Sequence, residues 1–129
     1  MSPAIQLLNI DQLDEIIQWW LTFAGGGLND NFGFTWLAQV WYPKICNFNI
    51  APADWKLKVA DKLEKFQYND IFYKSQIINL RKDTLDSKER QYCLKAFVKY
   101  NDHQDRFRGV QSWRKLLPEL EKSILEELK

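Results

Sequence analysis

Residues 86–109 read DSKERQYCLKAFVKYNDHQDRFRG, and this stretch predicts one long helix. Its first four residues resemble a capping box, with Asp86 at the helix start. Leu94, Phe97 and Val98 recur at helical spacing on one side, and Gly109 suits the left-handed residue that ends a helix. The stretch places the chain among mainly helical proteins and raises one question, because its apolar side turns polar toward the end.

Two earlier segments also have the periodicity of amphipathic helices. The first follows a possible cap at Asn9 or Asp11 and ends at the glycines of residues 25–27; its apolar face consists of Leu13, Ile16, Ile17, Trp20 and Leu21. Trp19 and Phe23 add a second apolar side, which predicts a helix buried between layers or facing a partner. The second helix opens at Pro52, and its apolar stripe consists of Trp55, Val59, Leu63 and Phe66.

Three shorter helical segments complete the set. Residues 70–82 predict a helix with Ile71, Ser75 and Ile78 on one face. Ser112 caps a short turn, WRKL, and a final helix begins at Pro118. No internal repeat and no low-complexity segment interrupts the chain.

The segment between the first two helices favours β structure. Residues 32–43 read FGFTWLAQVWYP, and their aromatic and apolar side chains alternate with period two, which is typical of a strand. Residues 45–50 (ICNFNI) alternate in the same way and predict a short second strand. The expected fold is therefore mainly α, with five to six helices and a small β element of one or two strands, in a single globular domain over residues 1–129.

Composition excludes several classes of protein. Hydrophobic residues make up 46% and aromatic residues 15% of the 129 residues, with six Trp, so a packed core is expected. No run of eighteen apolar residues exists, which argues against a membrane span. The first residues lack the pattern of a signal peptide, so Cys46 and Cys93 are expected to be reduced thiols in a cytoplasmic protein.

Charge is distributed unevenly along the chain. Residues 1–54 contain one basic and five acidic residues, a net −4, whereas residues 88–115 contain eight basic and three acidic residues, a net +5. Solvated faces or complementarity within the molecule explain such polarity more often than a nucleic-acid site does.

Two stretches suggest a family. FVKYNDHQDRFRG followed by LLPELEK, together with FGFTWLAQVWYPKICNFNIAPADWKLKV, resembles the C-terminal segment of twitch-domain radical SAM proteins. Ala51 departs from the pattern, which has a larger apolar residue there. Those enzymes need three cysteines to hold an iron–sulfur cluster, and this chain has two. The resemblance therefore implies the C-terminal segment without the catalytic core, as a detached module or as the product of an incomplete reading frame, and not the activity.

No other chemistry is indicated by residue spacing. His103 is the only histidine, and no second histidine or cysteine lies at ligand spacing from it, so no metal and no cofactor is expected. Cys93 lies ten residues before His103, about 15 Å along one helix, too far for a nucleophile and its base. We expect no catalytic residues.

The polar end of the long helix has three interpretations, one of which is a docking surface for another protein. In the first, Asn101, Asp105 and Arg108 form a structural clamp: Asp105 pairs with Arg108 and accepts hydrogen bonds from backbone amides of the turn leading to Ser112. In the second, a basic and aromatic patch binds phosphate or an unstacked base; it comprises Arg106, Phe107, Trp113, Arg114 and Lys115.

These observations favour a non-catalytic protein-interaction or accessory module. The first helix or the aromatic strand would contact a protein partner or a second copy of the chain, giving a homodimer. The alternative is a module that binds single-stranded nucleic acid through residues 106–115. A membrane is not an expected partner.

Overall fold

The computed structural model describes residues 4–23, 38–109 and 111–129. Six α-helices account for most of this part of the chain: α1 Leu13–Phe23, α2 Ala53–Lys65, α3 Ile71–Arg81, α4 Ser87–Arg108, α5 Trp113–Leu116 and α6 Pro118–Glu127. Apolar side chains from all six elements and from the N-terminal segment meet in one buried core. The prediction of a mainly α fold with a small β element is confirmed. No described helix is long and apolar enough to span a membrane.

The β element is a pair of two-residue strands. β1 (Ala4–Ile5) runs parallel to β2 (Ala38–Gln39), with Ala4 opposite Ala38 and Ile5 opposite Gln39. Of the strand expected near residues 34–42, only residues 38–39 form a strand within the described part; residues 34–37 and the glycines at 25–27 lie outside the described residues. The N-terminal partner strand was not anticipated, because two residues are too short to show a period.

The predicted second strand at residues 45–50 is wrong. The chain forms two 3₁₀ turns there, Lys44–Cys46 and Phe48–Ile50. The side-chain Oδ1 of Asn47 accepts a hydrogen bond from the N–H of Asn49 at 2.9 Å, which bends the backbone locally. Phe48 and Ile50 are nevertheless both buried, so alternating burial arose here without an extended strand.

Helix α2 has the stripe that its sequence indicates, whereas α3 does not. Trp55, Val59 and Leu63 of α2 are buried. In α3 the expected face is wrong, because Ile71 is 73% exposed and Ile78 is 55% exposed. Helix α3 packs on α2 and buries a different face. The buried residues of this face are Tyr73, Gln76, Ile77 and Leu80. Apolar residues almost all round α3 leave its orientation undecided in the sequence.

Helix α1 buries the face that its spacing predicts, through Leu13 and Ile17. Trp19, on the second apolar side, is 59% exposed, so this side is not enclosed between layers. The Phe23 side chain lies outside the described residues. Neither expected cap forms: the helix follows a 3₁₀ turn at Ile10–Gln12, and the side chain of Asn9 instead accepts a hydrogen bond from the N–H of Gln6 at 2.9 Å.

Helix α4 begins and ends where capping chemistry indicates. The Asp86 carboxylate accepts hydrogen bonds from the N–H groups of Lys88 at 2.9 Å and Glu89 at 3.0 Å. Gly109 follows with φ of 62°, a conformation in which a side chain would be strained. The chain therefore turns sharply after 22 helical residues and brings α5 back against the end of α4.

Candidate functional site

The turn after α4 is tied to the helix by Asp105. Its Oδ2 accepts a hydrogen bond from the main-chain N–H of Trp113 at 2.8 Å. Trp113 is the first residue of α5, so its N–H has no acceptor within that helix. The Ser112 hydroxyl caps the same helix by accepting from the N–H of Arg114 at 3.2 Å. Asp105 thus supplies an acceptor that the start of α5 otherwise lacks.

The other two members of the expected clamp do not join it. The Asn101 side chain donates to the carbonyl of Phe97 at 2.9 Å, one turn back in its own helix. Arg108 is exposed, and the ion pairs formed within the described residues do not include Asp105 with Arg108. The expected pair is therefore not formed, and Asp105 makes its contact across the turn alone.

Asp102, which the sequence did not single out, is the centre of a larger network. Its Oδ1 accepts hydrogen bonds from the indole Nε1 of Trp113 at 2.9 Å and from Nε of Arg114 at 3.1 Å. Arg114 Nη2 reaches Asp102 Oδ2 at 2.8 Å, and Nη1 reaches Glu121 of α6 at 2.9 Å. The hydrogen bonds from Arg114 hold the pKa of Asp102 below its usual range. The guanidinium of Arg114 therefore links α5 to both α4 and α6.

Only part of the predicted basic–aromatic patch is brought together on one surface, where Arg106 and Arg114 line the same pocket. Trp113 is only 3% exposed and packs edge-on against Phe97, with 5.1 Å between ring centroids. The guanidinium of Arg114 is committed to two carboxylates and lies 5.3 Å from the centre of the Trp113 ring. Arg106, Phe107 and Lys115 are exposed. The expectation that Trp113 offers a stacking face is therefore wrong.

A surface cleft lies along the polar side of α4. We call it the amide cleft; it has a volume of about 530 Å³ and lies between the second half of α4, the N-terminal segment and residues 111–117. Five of its side chains are amides: Gln6, Gln12, Asn101, Gln104 and Gln111. Asp105 and Arg108 line the same cleft, so the polar stripe of α4 forms one of its walls.

Much of the hydrogen-bonding capacity of the amide cleft is unused. Within the described parts of the chain, the side chains of Gln104, Arg108 and Gln111 have no hydrogen-bond partner. Apolar surface adjoins them, because Tyr100 is 47% and Leu116 is 58% exposed in the same cleft. The cleft therefore offers donors, acceptors and apolar contacts side by side.

A second polar cluster consists of two buried cations that share the half-exposed carboxylate of Asp83. Lys56 is 1% exposed, and its ammonium donates to the carbonyl of Lys82 at 3.1 Å and lies 3.5 Å from Asp83. Asp83 also accepts from the guanidinium of Arg90, which is 6% exposed. Burial lowers the pKa of Lys56. The cluster joins α2, α4 and the connection before α4, and each cation has an acceptor, so we interpret it as structural.

The remaining reactive groups are dispersed. Cys93 is buried, and burial raises the pKa of its thiol; Cys46 is half-buried and also unpaired. His103 is exposed on α4. Among the described residues, no group of three or more histidine, cysteine or acidic side chains could hold a metal ion.

Comparison with protein-family models, with curated proteins and with solved structures finds no match to this chain. The resemblance to the C-terminal segment of twitch-domain radical SAM proteins stays a prediction.

Proposed function

We propose that this chain is a non-catalytic protein-interaction module and that the amide cleft is its binding surface. One observation carries the proposal: exposed Tyr100 and Leu116 lie beside Arg108, Gln104 and Gln111, whose hydrogen-bonding groups are unused within the described chain. Tyrosine and arginine are enriched among the residues that dominate binding energy at protein interfaces. An apolar centre bordered by hydrogen-bonding side chains is the usual anatomy of such a surface.

The dispersed reactive groups favour binding over catalysis. The thiolate is the nucleophilic form of cysteine, and the raised pKa of buried Cys93 disfavours it. Asp102 and Arg114 hold each other near the cleft, and Arg114 is also held by Glu121. Charged groups that are already paired suit a rigid scaffold that supports the binding surface.

The proposal includes an accessory role beside a radical SAM enzyme. What supports it is the motif alone: Asp105 three residues before Arg108, then Pro118-Glu119-Leu120. A neighbouring reading frame that encodes the three-cysteine loop would support the accessory role, and a neighbourhood without one would count against it.

Panning a display library of random peptides against the purified chain tests the binding surface. The cleft variant is Tyr100→Ser/Leu116→Ser, which changes two exposed side chains. The matched control, Tyr92→Ser/Leu125→Ser, removes the same residue types at exposed positions of α4 and α6 that do not line the cleft.

Peptides enriched on the parent chain should bind the control equally and the cleft variant at least about tenfold more weakly, a loss of ~1.4 kcal/mol. Far-UV circular dichroism must show that both variants keep their helices. Enriched peptides that bind all three proteins alike, or a library that yields none, would contradict the proposal.

A further inference from the structure

Building on the proposed function, we infer that the partner segment is an extended, acidic stretch of a protein, with a carboxylate side chain against Arg108. Three properties of the amide cleft lead to this partner: its amides, its charge and its size.

The amides indicate an extended backbone. Each glutamine or asparagine side chain is both a donor and an acceptor, as is each peptide unit. A helical partner has satisfied its own backbone groups, whereas an extended segment presents free N–H and C=O groups along its length. Gln104 on α4 and Gln111 on the following turn both line the cleft with unused amides, so they can pair with a backbone lying between them.

The charge indicates an acidic partner. Arg108 has no carboxylate partner among the described residues, although Asp105 lies one turn before it. One oxygen of Asp105 is occupied by the N–H of Trp113. The nearby acids Asp102 and Glu121 are held by Arg114, so they do not neutralise Arg108.

A second exposed cation lies nearby. Lys115 is next to Leu116, which lines the cleft, and the carboxylate in the lining, Asp105, is held by the N–H of Trp113. An arginine fork binds a carboxylate through two parallel hydrogen bonds, which gives an acidic side chain a defined position.

The size of the cleft fits a short segment. A volume of about 530 Å³ is within the range of sites that enclose small ligands. It therefore holds a few residues of a partner and not a whole domain. Tyr100 and Leu116 would contact the apolar side chains that flank the acidic one.

The test uses synthetic peptides derived from those that the library enriches. Each peptide is made with its acidic residue and again with Glu→Gln or Asp→Asn, and binding to the whole chain is measured by fluorescence anisotropy. The protein variants are Arg108→Gln and, as a control for lost charge, Lys99→Gln, which lies on the opposite side of α4 by helical spacing.

We expect the amide peptide to bind the parent and Lys99→Gln about tenfold more weakly than the acidic peptide. On Arg108→Gln the two peptides should bind alike, because the carboxylate has lost its partner. Enriched peptides without acidic residues that still depend on Tyr100 and Leu116 would overturn this inference and leave the proposed function standing. A library without cleft-dependent peptides would overturn both.

Two further measurements test whether nucleic acid or a second copy of the chain occupies the cleft. Displacement of the peptide by oligothymidylate as effective as by unlabelled acidic peptide would assign the cleft to nucleic acid and overturn the inference. Peptide affinity that falls as the chain itself is concentrated would assign the cleft to a second copy and also overturn it.

Discussion

The carboxylate of Asp105 accepts its hydrogen bond from the N–H of Trp113, across the turn at Gly109, and Arg108 takes no part in it. The relationship explains why the apolar stripe of α4 becomes polar. At its end the helix meets a turn whose amides need acceptors, and an apolar side chain at position 105 would leave the Trp113 amide unsatisfied.

Removing the Asp105 carboxylate should destabilise the fold. Asp105→Ala leaves the Trp113 N–H without its acceptor, and we expect a loss of about 1–3 kcal/mol in the free energy of unfolding. Arg108→Ala should cost less than about 0.5 kcal/mol, as a surface substitution. Urea denaturation of both single variants and of the double variant measures these changes.

The double variant tests whether the clamp includes a contact between Asp105 and Arg108. Without a contact between the two side chains, the effects of Asp105→Ala and Arg108→Ala should add within about 0.5 kcal/mol. A larger interaction energy would show that the pair forms in solution, contrary to the structure.

The Asp102–Arg114 ion pair should make stability depend on pH in the acid range. Because the folded-state pKa of Asp102 lies below its unfolded value, the ion pair stabilises the fold above about pH 4 and is lost as pH falls through the folded pKa. The parent should therefore exceed Asp102→Asn in stability near pH 6, and the difference should shrink toward pH ~2. A difference that stays constant over the range would contradict the assignment.

Asp83 should matter more than an aspartate whose cationic partner is exposed, because both partners of Asp83 are buried. Asp83→Ala removes the acceptor shared by buried Lys56 and Arg90, and we expect a loss of about 3 kcal/mol, because two buried cations remain. Asp61→Ala is the matched control, since Asp61 pairs with Arg81 at 2.9 Å on the surface. That pair should be worth less than about 1 kcal/mol. Thermal melts that rank the two variants equally would show that the buried cluster is not structural.

Single-stranded nucleic acid should not bind through residues 106–115. Trp113 is buried and cannot stack on a base, and the guanidinium of Arg114 is held by two carboxylates that compete with a phosphate. Labelled oligothymidylate should show no salt-dependent binding at micromolar protein in anisotropy. Binding that weakens steeply with salt and disappears in Arg114→Ala, but not in Lys99→Gln outside the patch, would restore the nucleic-acid alternative.

Self-association is the remaining prediction. Trp41 and Tyr42 are adjacent and are 56% and 79% exposed, which is a large apolar surface at one point of a small protein. We expect a homodimer at micromolar concentration by light scattering, and a shift toward monomer in Trp41→Ser/Tyr42→Ser. Phe107→Ser serves as a control at a distant exposed aromatic residue. A monomeric mass throughout the micromolar range would refute the prediction.

Local interactions were readable from the sequence. The capping of α4 by Asp86 and its end at Gly109 depend on contacts between neighbours in the chain, and both are as expected. The α2 stripe was equally clear, because its apolar residues point one way. Even the acceptor role of Asp105 follows from the nearby helix end and turn.

Contacts between distant segments were decided by tertiary packing. Which face of α3 is buried depends on the packing of Tyr73 against α2. The Tyr73 hydroxyl donates there to the carbonyl of Leu63 at 2.5 Å. Asp102 acquired its role from Arg114, which the turn at Gly109 brings close. Lys56 is buried because carbonyl and carboxylate acceptors from other segments surround it. Sequence periodicity indicates which apolar face a helix can bury. Which other element packs on that face depends on the free energy of the whole core.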